Sequence, residues 1–165
     1  LCNFFTMELI QFLQQFDFPI ILFLMKGITL LGNGTAYPIY LIILFFYLNR
    51  KDWLSFLGII ILSAIIMKCL KEGFALARPP EELHLISVSG FGFPSGHAQM
   101  AMVVWGWLGH HYNRIIPASV MIFMVGFSRI YLGVHMPHQI IGGWAVGFVV
   151  FMGWIFVEKE LSKNS

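Results

Sequence analysis

Six apolar stretches occupy almost the whole of this chain, and the charged residues lie mainly between them. The stretches cover residues 18–31, 35–48, 53–75, 95–112, 116–133 and 138–157. Only 11% of the residues are charged, whereas folded water-soluble proteins contain roughly 25%. Backbone crosses a bilayer only as helices or closed barrels, and long apolar runs favour helices. The sequence therefore predicts an all-α, polytopic membrane bundle with about six transmembrane helices.

The N-terminal segment has a different pattern. Apolar residues such as Leu9 and Phe12 alternate at helical spacing with Glu8, Gln11 and Gln14. This pattern predicts an amphipathic helix at the membrane interface, within residues 1–17. We expect residues 18–158 to form the bundle, all within one membrane-embedded domain, 1–165, with no signal peptide and no second domain.

Three short polar patches interrupt the apolar pattern. They are Lys71-x6-Arg78-Pro79, Pro94-Ser95-Gly96-His97 and Ser128-Arg129-x5-His135. Each patch lies at or near the end of a predicted helix, and alternating crossings bring all three to one membrane face. The opposite face then carries five other cations: Arg50, Lys51, Arg114, Lys159 and Lys163. An excess of Lys and Arg marks the cytoplasmic face, so the patches are expected on the extracytoplasmic side.

The residue types in these patches suit a phosphate group. Lys71, Arg78 and Arg129 supply fixed cations, and arginine can bind phosphate in a bidentate manner. Ser95 is the predicted N-cap of a helix, whose N–H groups and dipole attract an anion. Gly96 would let a phosphate oxygen approach the backbone closely. Cations at membrane depth are costly unless they serve a polar cavity, so we interpret the patches as a phosphate site.

The two histidines add a means of breaking a bond to that phosphate. One unprotonated imidazole can form a covalent phosphoryl intermediate, while the other protonates the leaving alcohol and then activates water. A metal site is the rival interpretation, since His110, His111 and His138 lie elsewhere in the chain. No Cys or carboxylate completes a tetrahedral set near them. We therefore expect neither a metal nor another cofactor.

The three patches resemble, in order and spacing, the signature motifs of the type 2 phosphatidic acid phosphatase superfamily, which also includes glucose-6-phosphatase and vanadium haloperoxidases. The match extends from Lys71 to about Gly143. The resemblance implies a six-helix core and metal-independent dephosphorylation through a phosphohistidine. It also implies that His135 is the nucleophile and His97 the general acid and base. The implied phosphate ligands are Lys71, Arg78, Ser95, Gly96 and Arg129.

One position departs from the family pattern. The third motif usually ends in Asp four residues after the nucleophilic histidine, and here that position is Gln139. An aspartate would orient the imidazole and stabilise its positive form, whereas glutamine can only accept the ring N–H. Glucose-6-phosphatase resembles this chain in having Gln here. Our hypothesis is that Gln139 orients His135, with the cations or Glu72 tuning the pocket.

The expected function is hydrolysis of a lipid phosphate or diphosphate monoester in a bacterial inner membrane, with the site on the periplasmic face. Undecaprenyl diphosphate, phosphatidylglycerol phosphate, phosphatidic acid and lipid A phosphates all fit, the first being mildly favoured by the short loop 76–94. A soluble sugar phosphate is an alternative substrate, and a non-catalytic lipid-phosphate binder or transporter is an alternative class. Membrane lipids are expected partners. Nucleic acid is not, because the net charge is only +2 and no basic patch carries interleaved aromatics.

Overall fold

The computed structural model describes residues 2–16 and 18–163. Within these ranges the chain forms seven α-helices, one short 3-10 turn and no strand, which confirms the predicted all-α class. The helices are α1 Cys2–Gln14, α2 Pro19–Leu30, α3 Ala36–Phe45, α4 Arg50–Phe74, α5 Gly96–His111, α6 Ile115–Tyr131 and α7 Pro137–Lys163. The amphipathic helix predicted within 1–17 corresponds to α1, and positions 1 and 17 lie outside the described residues.

Local signals explain where several helices begin and end. Pro19 and Pro137 occupy the first residues of α2 and α7, where a missing N–H costs little. Asn49 caps α4 by accepting a hydrogen bond from the Asp52 backbone N–H at 2.9 Å. After α6 the chain turns at Gly133, whose φ is +71°; a side chain there would also collide with the Leu83 carbonyl. That turn directs His135 back towards the bundle.

Helix α5 lies in the middle of the bundle and packs against α4, α6 and α7. Its buried side chains Val103, Val104 and Trp107 contact Phe56 and Ile59 of α4 in the main core. Large apolar side chains cover the outside of the bundle, and several are more than half exposed: Phe23, Ile42, Phe46, Ile116 and Val149. Such a continuous apolar exterior suits lipid rather than water.

The two ends of the bundle have different chemistry. At one end the start of α4 meets the ends of α5 and α7: Asp52 lies 3.7 Å from His111, and Ser55 donates a hydrogen bond to Glu158. The predicted cytoplasmic cations border this end. At the other end, α4 and α6 finish and α5 and α7 begin, so the three polar patches are brought together there.

The expected count of six separate crossings is not confirmed. Helices α2 and α3 have 12 and 10 residues, which span about 18 and 15 Å, less than the ~30 Å of a hydrocarbon core. By length and composition, α4 and α7 are the described helices able to cross a membrane. Helices α5 and α6 are shorter, at 16 and 17 residues.

The contacts of α2 show how it differs from the predicted crossing helix. Its first turns pack on Tyr131 and Leu132, at the same end as the polar patches. Two residues after the end of α2, Gly32 lies against Val125 and the His97 carbonyl. From there α3 continues towards the other end, where Leu41 accepts a hydrogen bond from Trp53. Helices α2 and α3 thus follow one another through the bundle, with a break at 31–35.

Two glycines of α7, Gly143 and Gly147, lie four residues apart and allow close packing inside the bundle. A Cβ atom on Gly143 would lie 2.5 Å from the Ser95 carbonyl oxygen. One on Gly147 would lie 2.5 Å from the Gln99 carbonyl oxygen and 2.8 Å from Met102 Cβ. The partner of this glycine face is therefore α5 of the same chain.

Replacing Gly147 by alanine is expected to destabilise the bundle by about 1–3 kcal/mol, because the backbones of α5 and α7 must separate to admit the methyl group. Gly153→Ala is the matched control, since nothing lies within 4 Å of a Cβ there. Thermal unfolding in detergent measures both variants. Equal stability of the two would contradict the close α5–α7 contact.

Candidate active site

The start of α5 forms one wall of the site. Ser95 is the N-cap, and its backbone N–H donates to the Gln139 carbonyl at 3.0 Å, which ties α5 to α7. The Ser95 hydroxyl is fully buried and has no hydrogen-bond partner. A Cβ atom on Gly96 would collide with Met67 Sδ, so glycine also lets α4 approach α5 closely. The helix end thus presents N–H groups and an unsatisfied hydroxyl, which suits an anion.

Lys71 and Arg78 hold the loop that covers the site. The Lys71 ammonium donates to the Phe91 carbonyl at 2.7 Å. The Arg78 guanidinium donates to the carbonyls of Gly90 and Ser89, at 2.9 and 3.1 Å. These carbonyls are weak partners for two cations compared with a phosphate dianion. An entering phosphate would therefore compete with the loop for both side chains.

His135 is buried, with 1% of its surface exposed, and both ring nitrogens have partners. Nδ1 lies 3.0 Å from Gln139 Oε1, and Nε2 lies 2.9 Å from Arg78 Nη1. An amide oxygen only accepts, so Nδ1 carries the proton and Nε2 presents its lone pair. The atom with nucleophilic capacity therefore faces the cation that would bind the phosphate.

Gln139 holds this arrangement through three contacts. Its Oε1 also accepts from the Met136 N–H at 3.2 Å, and its Nε2 donates to the Ala77 carbonyl at 2.8 Å. The Met136 N–H can only donate and the Ala77 carbonyl can only accept, so together they fix the orientation of the Gln139 side-chain amide. A carboxylate oxygen in the place of Nε2 would face the Ala77 carbonyl with no proton between them. Glutamine is thus matched to this site, and it links the Arg78 loop to His135.

The electrostatics of the site favour a neutral His135. Burial holds the pKa of His135 well below its ordinary value, and the positive charge of Arg78 lowers it further. The hydrogen bond to Gln139 raises this pKa, but its effect is smaller. Burial also lowers the pKa of Arg78, but a guanidinium remains charged at neutral pH. The imidazole is therefore unprotonated near pH 7, as a nucleophile must be.

Arg129 lies deeper, with 2% of its surface exposed. Its Nη1 donates to the Thr29 hydroxyl at 2.8 Å, and its Nε has no partner. Thr29 was not predicted as a site residue, although Lys26, Thr29 and Asn33 recur at helical spacing in an otherwise apolar segment. Glu72, expected as a possible tuning group, is exposed and lines neither cavity at the site.

Two adjoining cavities connect these groups. One, of about 280 Å³, is lined by Lys71, Arg78, Gly96, His97 and His135. The other, of about 760 Å³, shares Arg78 and His97 and adds Arg129. Ser95 and Gln139 are buried beside them. All eight residues predicted from the sequence therefore lie in one region. Among the described residues, no three His, Cys, Asp or Glu side chains are grouped as metal ligands.

Comparison with known proteins shows the family of this chain. The family model described as PAP2 superfamily matches residues 52–161. Phosphatidylglycerophosphatase B of Bacillus subtilis (strain 168) is 33% identical, over 77% of this chain and 70% of that protein. An undecaprenyl-diphosphatase of Sulfolobus acidocaldarius is 25% identical, over 77% of this chain and 63% of that protein.

A solved structure gives the same relationship. It is the crystal structure of a transmembrane PAP2 type phosphatidylglycerolphosphate phosphatase from Bacillus subtilis, with 29% identity and a TM-score of 0.81. The similarity covers 92% of this chain and 83% of that chain. The apolar exterior, the two long apolar helices and these membrane relatives lead to one conclusion. The chain belongs to the PAP2 superfamily and is an integral membrane protein of this phosphatase family.

Proposed function

We propose that this chain, as one domain, hydrolyses a lipid phosphate or diphosphate monoester without a metal, through a phosphohistidine on His135. The observation that carries the proposal is the state of His135: a buried, neutral imidazole whose Nε2 faces Arg78 at 2.9 Å. The phosphate would lie in the smaller cavity, where the Lys71 and Arg78 side chains can turn from loop carbonyls to its oxygens. The buried Ser95 hydroxyl and Arg129 Nε, both unpartnered, are further donors for it.

The chemistry proceeds in two displacements. His135 Nε2 attacks phosphorus, the bond from phosphorus to the leaving oxygen breaks, and His97 donates a proton to that oxygen. Water then attacks the phosphohistidine while His97 takes its proton, and inorganic phosphate leaves with Nε2 restored. Gln139 keeps the proton on Nδ1 throughout, so that the lone pair stays on the attacking nitrogen. The cations stabilise the charge on the transferred group.

The cations at the end of the bundle opposite the site support an orientation for the protein in the membrane. Arg50, Lys51 and Arg114 border the end opposite the site, which favours a cytoplasmic position for that end. The site would then open on the periplasmic face of a bacterial inner membrane. Relatives that act on phosphatidylglycerophosphate and undecaprenyl diphosphate support a lipid substrate for this chain.

A substrate panel tests the proposal. Purified protein in detergent, with EDTA present, is given phosphatidylglycerol phosphate, farnesyl diphosphate, phosphatidic acid and glucose-6-phosphate, and released inorganic phosphate is measured. We expect kcat/KM for at least one lipid phosphate to exceed that for glucose-6-phosphate tenfold or more, and EDTA to have no effect. Preference for the sugar phosphate, or loss of activity with EDTA, would contradict the proposal.

A further inference from the structure

The larger cavity has a polar wall that phosphoryl transfer does not use. It lies between α2 and the loop residues 86–89, and it opens onto Arg78, His97 and Arg129. Its volume of about 760 Å³ is well above the 280 Å³ of the cavity that contains His135. The space is therefore sufficient for a substantial part of a substrate headgroup.

Helix α2 supplies a cation to this wall. Lys26 and Thr29 are three residues apart and Asn33 follows four residues later, and all three line the cavity. Lys26 and Thr29 lie on one face of α2, and Asn33 lies in the turn that follows the helix. Thr29 accepts a hydrogen bond from Arg129, which lines the same cavity and whose buried Nε lacks a partner. Three cations, Lys26, Arg78 and Arg129, thus border a cavity whose lining residues include no carboxylate.

The position of the larger cavity beside His97 indicates which part of the substrate would occupy it. His97 lines both cavities. If His97 protonates the leaving oxygen, that oxygen lies beside it, and the remainder of the leaving group extends away from His135. The larger cavity is the continuation in that direction. It would therefore receive the polar part of the leaving group rather than the transferred phosphoryl group.

We infer that the larger cavity is a leaving-group subsite for a second phosphate, and that Lys26 determines specificity for substrates which carry one. This inference rests on the proposed function. For a lipid diphosphate, the bond between His135 Nε2 and the terminal phosphorus forms while the bond to the bridging oxygen breaks. The bridging oxygen keeps the electron pair and becomes part of a lipid monophosphate. The second phosphate then lies against Lys26 and the Thr29 hydroxyl, and Arg129 is shared between it and the transferred phosphate.

A pair of substrates with the same tail tests this inference. Farnesyl diphosphate and farnesyl monophosphate differ by one phosphate, and the measured quantity is the ratio of their kcat/KM values. Lys26→Gln is expected to lower that ratio about tenfold, mainly by raising KM for the diphosphate, since a charge-assisted hydrogen bond is lost. Lys26→Arg should restore most of it. Lys68→Gln is the matched control, because Lys68 is an exposed cation of α4 that lines neither cavity.

The outcomes separate the subsite from the catalytic proposal. Lys26 is exposed, so its replacement should leave thermal stability unchanged. An unchanged ratio in Lys26→Gln, or an equal change in Lys68→Gln, would overturn the subsite and leave Lys26 as a side chain that reaches lipid headgroups. Hydrolysis of phosphatidylglycerol phosphate or phosphatidic acid but of neither farnesyl substrate would also overturn the subsite. Failure of the wild-type protein to release phosphate from any lipid phosphate would instead overturn the proposed function.

Discussion

His135→Ala is expected to reduce phosphate release from a lipid phosphate by on the order of 10⁴-fold or more, which is the scale of loss when a covalent nucleophile is removed. His135 Nε2 is the imidazole nitrogen that the described structure holds against Arg78, so we expect no other histidine to replace it efficiently in the attack. The measurement is kcat/KM for inorganic phosphate release in detergent. Binding of a non-hydrolysable lipid phosphonate should persist, because Lys71, Arg78 and Arg129 remain.

His138→Ala is the control for this variant. His138 is an exposed imidazole three residues away, in the first turn of α7, and it lines neither cavity. Its replacement should change kcat/KM by less than about twofold, as surface substitutions away from a site usually do. Activity of His135→Ala above one-tenth of wild type, or a similar loss in His138→Ala, would contradict the role given to His135.

Gln139→Ala is expected to lower kcat by about 10²–10⁴-fold with little change in KM, on the scale of the loss caused by the wrong histidine tautomer in serine proteases. Without Oε1 the Nδ1 proton loses its acceptor, so the ring can rotate or place its proton on Nε2. The phosphate ligands are untouched, which is why binding should survive. Steady-state kinetics separate kcat from KM.

If Gln139 had only a structural role, Gln139→Ala would lose stability without a specific loss of kcat. Gln99→Met is the matched control, since Gln99 is also a fully buried glutamine whose Nε2 donates to a backbone carbonyl, that of Ser63, at 2.9 Å. Both variants should lose stability, but only Gln139→Ala should lose activity. Nitrogen chemical shifts of labelled histidine should show the Nδ1–H tautomer of His135 in wild type and a mixture in Gln139→Ala. A wild-type tautomer in that variant would contradict the positioning role.

The sequence predicts the later part of the chain well, because local signals there are strong. Pro137 begins α7, and Gly133 turns the chain so that His135 faces the bundle. Because successive helices run in opposite directions, the end of α4 with Lys71, the start of α5 and the end of α6 come together at one end of the bundle. The sequence alone is sufficient to predict this convergence. Alternation of helix direction is a simple rule, and it holds for α4–α7, whose lengths range from 16 to 27 residues.

The first part of the chain was predicted less accurately, because its structure depends on distant contacts. An apolar segment of 12 residues has the composition of a crossing helix, and nothing local shows that α2 packs along the end of α6. The hydrogen bond between Thr29 and Arg129 joins residues 100 positions apart. Neither Thr29 nor Lys26 was therefore predicted as part of the site, although their spacing on α2 was visible in the sequence.

Trapping the covalent intermediate would show whether His135 is the nucleophile. Wild-type protein is mixed with a lipid phosphate, quenched within milliseconds in alkaline detergent, which preserves phosphohistidine, and digested for mass spectrometry. We expect a phosphoryl group on the peptide that contains His135 in wild type, and none on that peptide in His135→Ala. A phosphoryl group on the peptide that contains His97, or rapid turnover with no phosphorylated peptide at any quench time, would contradict it.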